Sequence, residues 1–393
     1  MALLLMPSVV YASFIESTMG TAVVNDATAT YFNPAALTLL KNAQIIGLST
    51  SAQSHGEFTG TVTKPNNMFS ESGSSTSQTH YFLPSGYAGI PLSDKIFFGL
   101  AVVADSFNRD VDQNSVLRYV ISDNNIKSID MIPAIALRLN DYLSIGANVN
   151  FSQANFFSAP LSGGLSLDNP DIQSQNQTDA NAWGGDVGLL LKPSASTLIG
   201  FNYRSAMTYH FTGTSQLEGN PVIVSNNFSF DYWTPARCVL SINQLLTRSF
   251  GMIGTLQWIK WNIFDEINAN QVSTQVGNTP VILPHVTIPL DFQNAWVYTV
   301  GGYYHLSPKL TIRTAGSYIQ SPGNPNVQVT EGDNIILGTS VGYKLNKVVS
   351  IDTSYSHAFI QNQSIDIQNP VNTINGVNKG YRDSVSLKIT VNV

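Results

Sequence analysis

Apolar and polar residues take turns along most of this chain, and that period of two limits what it can become. Across 198–211, Ile199, Phe201, Tyr203, Met207, Tyr209 and Phe211 fall on one side of an extended segment. Gly200, Asn202, Arg204, Thr208 and His210 fall on the other. The last stretch repeats the pattern, with Val385, Leu387, Ile389, Val391 and Val393 opposite Ser384, Ser386, Lys388, Thr390 and Asn392. A tilted strand of ~9–11 residues crosses a bilayer, whereas a helix needs an apolar run of ~18 or more, which this chain lacks. Charged residues make up 11%, against roughly 25% in soluble proteins. A soluble β-sandwich would also alternate, but its solvent face would carry more charge. An arginine facing lipid at mid-bilayer costs ~2–4 kcal/mol, so Arg204 is expected to point into a lumen.

Turn chemistry then divides the 393 residues. Short connections surround Ser93-Asp94, Asn140-Asp141, Pro193-Ser194, Leu246-Thr247, Ser307-Pro308 and Asn346-Lys347, each joining two alternating runs as a hairpin requires. Between them lie seven longer polar connections, near 54–77, 106–125, 155–180, 213–232, 265–292, 320–333 and 361–379, rich in Asn, Ser, Gln and Gly. Short turns at one end and long loops at the other define an all-β, antiparallel transmembrane barrel, and the intervening runs count to 14 strands. Aromatic residues cluster at run ends: Tyr81, Tyr87, Trp183, Tyr232-Trp233, Trp258, Trp261, Trp296, Tyr298 and Tyr303-Tyr304. They are expected to form interfacial girdles.

Ahead of the strands stands a segment of a different kind, Asn25-Asp-Ala-Thr-Ala-Thr-Tyr-Phe-Asn-Pro-Ala-Ala-Leu37. Pro34 has no N–H and pushes Asn33 out of the helical region. Asp26 and Asn33 are short polar side chains able to tie down nearby backbone. Such a segment is either an ordinary surface turn or a plug folded into a lumen. Residues 1–12 are apolar and end Val10-Tyr11-Ala12, like the core and cleavage site of an export signal. The missing basic start leads us to expect a true start further upstream.

Met19-Gly20, Asp26-Ala27, Asn33-Pro34-Ala35 and Leu37 resemble the N-terminal hatch of FadL-type outer-membrane transporters of long-chain fatty acids and other hydrophobic compounds. Tyr203-Arg204-Ser205, Thr311-Ile-Arg313-Thr314, Ser321-Pro322 and Tyr355-Ser-His357 carry the resemblance over most of the chain. It implies a hatch over 13–42 in the lumen of a barrel over 43–393, with Asp26, Asn33, Pro34 and Ala35 as hatch residues. It also implies a third strand kinked inward to open the wall laterally, for which Gly99 is the candidate weak point. The implied setting is the outer membrane of a Gram-negative bacterium. The implied partners are a hydrophobic small molecule (fatty acid or aromatic hydrocarbon), membrane lipid, lipopolysaccharide and the barrel-assembly machinery, with the protein a monomer. Val393 departs from the usual aromatic end of such barrels.

Signals for chemistry are sparse. Cys238 is the single cysteine, six scattered histidines show no metal-ligand spacing, and neither a metal nor a cofactor is expected. Gly338-Thr-Ser340-Val-Gly342 has nucleophile-elbow spacing but lies in an alternating run rather than a strand-to-helix turn. A net charge of −6 argues against a nucleic-acid partner. The inward-parity bases are Arg204, Arg237, Arg313 and Lys388. Each is a candidate for a ligand's carboxylate head or, alternatively, for wall-stiffening pairs with acids such as Asp186 and Asp352. Passive uptake is the function expected. An adhesive barrel using its loops is one alternative, and a lipase built on His357 and an outward serine is another.

Overall fold

The computed structural model describes residues 14–63, 70–162, 172–219, 221–276, 279–369 and 373–393. The candidate export signal at 1–12 lies outside the described residues. Fourteen antiparallel strands form the wall: β1 Gln44–Thr63, β2 Ser70–Pro91, β3 Ile96–Val111, β4 Asp123–Arg138, β5 Leu143–Ala159, β6 Ile172–Ser194, then β7 to β10, then β11 Leu310–Ile319, β12 Asn334–Lys344, β13 Val349–Gln368 and β14 Thr373–Asn392. Each of β7 to β10 is interrupted once: Thr197–Arg204 and Met207–Leu217; Ile223–Thr234 and Arg237–Leu245; Phe250–Ile259 and Glu266–Val276; Thr279–Pro289 and Ala295–His305. β14 pairs with β1 from Gln44↔Asn392 to Thr63↔Thr373, so the sheet closes on itself. Closure is what hydrocarbon demands, because an open edge would leave unpaired N–H and C=O groups with no water to bond.

Alternation sorts the wall into two faces. On β14, Val385, Leu387 and Ile389 are exposed to the surroundings, while Ser386, Lys388 and Thr390 are buried inside. β7 begins the same way, with Phe201 and Tyr203 outward and Asn202 and Arg204 inward. Beyond Ser205-Ala206 the phase reverses: Met207, Tyr209 and Phe211 are buried and Thr208 and His210 exposed. The sequence had placed all six apolar residues of this run on one face. One extra residue at this break inverts it: Arg204 pairs with Asp186 and Thr212 with Asp179, eight steps against seven, and inside and outside alternate at every step.

The polar connections also differ from expectation. Most of 54–77 is not loop but a hairpin, paired from Ser54↔Thr79 to Thr63↔Ser70. Polar side chains on both faces do not prevent pairing where water solvates the strand, so the apolar pattern marks only the length lying in lipid. Residues 112–122 and 320–333 are true loops. Among the aromatic residues, Trp183, Trp296, Tyr298 and Tyr304 face outward as girdle residues do, but Tyr87 and Trp261 are buried within. Exchanging the lipid-facing Leu387 for Arg should destabilise the barrel by ~2–4 kcal/mol, against less than ~0.5 kcal/mol for Asn375→Arg at the exposed far end. Reversible urea unfolding in liposomes measures both.

Candidate functional site

Residues 14–40 form four short helical turns, Phe14–Ser17, Thr21–Val23, Ala29–Phe32 and Pro34–Leu39, and are almost wholly buried inside the barrel. Their position is set by a wall stripped of side chains where they touch it. A Cβ on Gly99 would come within 2.3 Å of Thr30 Oγ1, one on Gly146 within 2.4 Å of the Ala35 nitrogen, and one on Gly188 within 1.9 Å of Asn33 Oδ1. Gly146 and Gly188 are direct cross-strand neighbours, so they form one shallow seat. Gly99, the candidate weak point of β3, packs against Thr30 and Leu37. It lies in unbroken ladder, paired with Gly89 on β2 and Ala134 on β4, and its missing side chain makes room for the N-terminal segment.

Polar bonds hold the segment in that seat. Asn33 donates through Nδ2 to the Ala22 carbonyl (2.7 Å) and to the Leu189 carbonyl of β6 (3.1 Å), and its Oδ1 accepts from the Ala35 N–H. Pro34 opens the last helical turn, where a missing N–H costs nothing. Arg204 pairs with Asp186 at 2.8 Å and also donates to the Tyr31 carbonyl at 2.6 Å. Arg313 pairs with Asp352 at 2.8 Å.

Lys388 reaches from β14 to two carboxylates of the N-terminal segment, Glu16 Oε1 at 3.0 Å and Asp26 Oδ2 at 2.9 Å, all three buried. One ammonium cannot neutralise two buried carboxylates. Burial pushes the Glu16 carboxyl above its usual range, with Lys388 opposing, and its Oε2 has no hydrogen-bond partner. Burial acts on Asp26 as well, but Lys388 and Thr28 outweigh it and hold that carboxyl below the ordinary range. Arg237 differs from the other inward bases. Among the described residues it has no carboxylate partner, its Nε is unbonded, and it faces the Tyr31 ring at 5.6 Å.

Above the segment the lumen holds two mainly apolar cavities. One, of about 140 Å³, is walled by Phe156, Tyr209, Phe211, Phe230, Tyr232 and Trp261, with Arg237, Arg204 and Tyr31 at its floor and Asp105 and Asp130 on β3 and β4. Phe211 and Phe230 stack at 5.0 Å. The other, of about 110 Å³, lies between Phe14, Tyr81, Phe292, Ile319 and the 320–334 loop. Leu83 lines both. Next to Leu83 the β2–β3 ladder lapses: pairing stops at Phe82↔Ser106 and resumes at Ser85↔Val103, so Leu83-Pro84 makes no ladder pair with β3. Pro84 cannot donate to a ladder.

Tyr209 and Phe211 of the inward aromatic set escape a reading by parity because the break at Ser205-Ala206 reverses it. Glu16 escaped it for want of a visible partner. Pro84, inside β2, is a local signal for a ladder lapse, as is Pro133 inside β4, where pairing with β5 skips from Met131↔Phe151 to Ala134↔Asn148. Ser340 is buried in β12 and bonds Thr18, which removes it as an elbow nucleophile. His357 bonds Asp383 at 2.8 Å and stacks on Tyr381, and the hydroxyl that shares this carboxylate belongs to Tyr355, not to a serine.

A closed barrel with lipid outside, its lumen filled by its own N-terminal segment and lined above with apolar cavities, is an outer-membrane channel for hydrophobic solutes. The chain belongs to the family described as outer membrane protein transport protein (OMPP1/FadL/TodX), which matches residues 17–392. It is similar to outer membrane protein P1 of Haemophilus influenzae, 21% identical over 94% of this chain and 87% of that protein. In structure it resembles a Pseudomonas aeruginosa FadL homologue (TM-score 0.81, 19% identity, 95% of each chain). It also resembles the Pseudomonas putida toluene transporter TodX (TM-score 0.69, 16% identity, 95% of this chain and 96% of that one). Members of the family are passive transport channels of the outer membrane, not enzymes, and this chain is one of them.

Removing Lys388 would leave two buried carboxylates without a counter-charge, a change that costs ~3–5 kcal/mol when one partner of a buried pair is deleted. Lys388→Met should therefore loosen residues 14–40 and raise the leak of small solutes from liposomes. Glu16 and Asp26 should respond oppositely to acid. The packed state gains as pH falls through the raised Glu16 value and loses as it falls through the lowered Asp26 value. Glu16→Gln should accordingly leave the leak at its original level while Asp26→Asn raises it.

Proposed function

We propose that this channel takes up amphipathic hydrophobic acids of the long-chain fatty-acid type, with residues 14–40 acting as a hatch. The observation that carries this reading is Arg237, a cation on the floor of an aromatic cavity with no carboxylate of its own. A carboxylate docked there would gain charge-assisted bonds in a desolvated site. Its alkyl chain would gain ~0.8 kcal/mol per buried methylene along the aromatic wall. A cavity of ~150 Å³ holds one benzene ring, so an extended chain would need both cavities and would pass Leu83. The size of the aromatic cavity, taken alone, favours a second reading, a monoaromatic hydrocarbon resting beside Arg237. Arg237→Met should weaken binding of a fatty acid about tenfold or more and leave toluene binding unchanged. Equal losses for both, in a fluorescence-displacement assay, would defeat the acid reading.

The exit we propose is lateral, through the seam beside Leu83-Pro84. Both cavities touch Leu83, and the lapse of the β2–β3 ladder at Leu83-Pro84 lowers the cost of parting β2 from β3. The hatch would respond to ligand only as far as ligand favours one of its conformations over another, and Arg204 and Arg237 about Tyr31 give cavity and hatch a shared element. Pro84→Thr restores a ladder donor. It should slow uptake of labelled oleate by whole cells while leaving equilibrium binding to the purified protein intact. Unchanged uptake would move the exit elsewhere.

A further inference from the structure

Charge is distributed very unevenly between the two ends of the barrel. At the short-turn end, Lys41, Lys95, Lys192, Arg248, Lys309, Lys344 and Lys347 are all exposed, with only Asp94 and Asp141 as exposed acidic side chains among the described residues there. None of the seven belongs to an ion pair among the described residues. The long-strand end is the reverse: Glu57, Asp110, Asp112, Asp179, Glu218, Asp231, Asp265, Glu266, Asp291 and Asp366 are exposed, against Lys127, Lys260 and Lys379. The net charge of −6 hides a basic rim under an acidic crown.

A second pattern coincides with the rim. Five of its six turns open with an exposed leucine: Leu92 (62%), Leu139 (49%), Leu246 (54%), Leu306 (53%) and Leu345 (47%). These leucines continue the outward apolar band of Ile96, Leu137, Phe250, Ile312 and Tyr343. Water is a poor home for a ring of leucines, and the centre of a bilayer is a poor home for lysines. The boundary between acyl chains and headgroups suits both, because long basic side chains reach toward phosphates while apolar neighbours stay in hydrocarbon.

We propose that the basic rim is a binding surface for anionic phospholipid headgroups of the periplasmic leaflet, selected over zwitterionic ones. An ammonium is attracted to any phosphate, but a zwitterionic headgroup presents its own cation beside the phosphate, whereas phosphatidylglycerol presents none. Continuity with the lipid-facing band assigns the rim to a membrane rather than to a soluble acidic partner, whose approach would leave the leucines unexplained. The attraction is electrostatic and near the surface, so salt weakens it.

The test uses the full folded protein in phosphatidylcholine vesicles with spin-labelled phosphatidylglycerol or phosphatidylcholine as probe. The native protein should hold the phosphatidylglycerol probe at its perimeter at least ~two-fold more strongly, and high salt should reduce that preference. A rim-neutral variant (K95Q, K192Q, R248Q, K309Q and K347Q) should lose it, and a crown control (K127Q, K260Q and K379Q) should keep it. Circular dichroism checks that each variant remains a barrel, and salt titration of the native protein gives the same answer without any substitution. No preference in the native protein, or one that survives in the rim-neutral variant, overturns the proposal. So does loss of the preference in the crown control alone. A rim-neutral variant that fails in cellular uptake, with no lipid preference in the native protein, assigns the rim to a soluble acceptor instead.

Discussion

Inside hydrocarbon a backbone N–H or C=O has no partner but another backbone group, and this single constraint organises the protein. It requires that β14 come back to β1, which it does over twenty consecutive pairs. It also confines irregularity. The four broken strands, β7 to β10, break where the chain passes from the lipid-facing band toward polar surroundings, and the seam at Leu83-Pro84 is short and resumes at once. The lapse at Leu83-Pro84 borders both cavities.

The lumen obeys a different rule. A channel wide enough for solute would leak if empty, and residues 14–40 fill it with backbone as well as side chains. Backbone needs both close approach and bonding partners. Gly146 and Gly188 supply the first by presenting no side chain, while Asn33, donating to the Ala22 carbonyl, and Arg204, donating to the Tyr31 carbonyl, supply the second. Three ionisable groups in the Lys388 cluster are sealed from water, an arrangement that costs desolvation and ties the segment to β14. Arg237 stands apart because its charge is not used in this way.

The wall's overall plan could be read directly. Fourteen strands, their pairing order, the outward set of β14 and the inward Arg204 follow from a period of two and from turn chemistry, because each depends on near neighbours in the chain. Other features could not. Met207, Tyr209 and Phe211 lie on the face opposite to the one their parity predicts, because the break at Ser205-Ala206 looks, in sequence, like any other step of a strand. Gly99 suggested a weak strand, but its meaning lay in Thr30 and Leu37, some seventy positions earlier. The polar hairpin at 54–77 was taken for loop because polarity on both faces removes the signal by which strands are recognised, though not the hydrogen bonds that form them.

By itself, the sequence determined an alternating, low-charge, all-β chain that must close in a membrane, with an Asn33-Pro34-Ala35 segment ahead of it. These are consequences of local geometry and of what each residue costs in lipid. Only the tertiary structure decided which charge meets which. Lys388 met Glu16 and Asp26, Arg204 met Asp186 and Tyr31, and Arg237 paired with no acid among the described residues, because pairings across hundreds of residues depend on how the barrel closes and where the segment lies within it. The same closure gathered seven separate cations into one rim, which no single turn of the chain reveals.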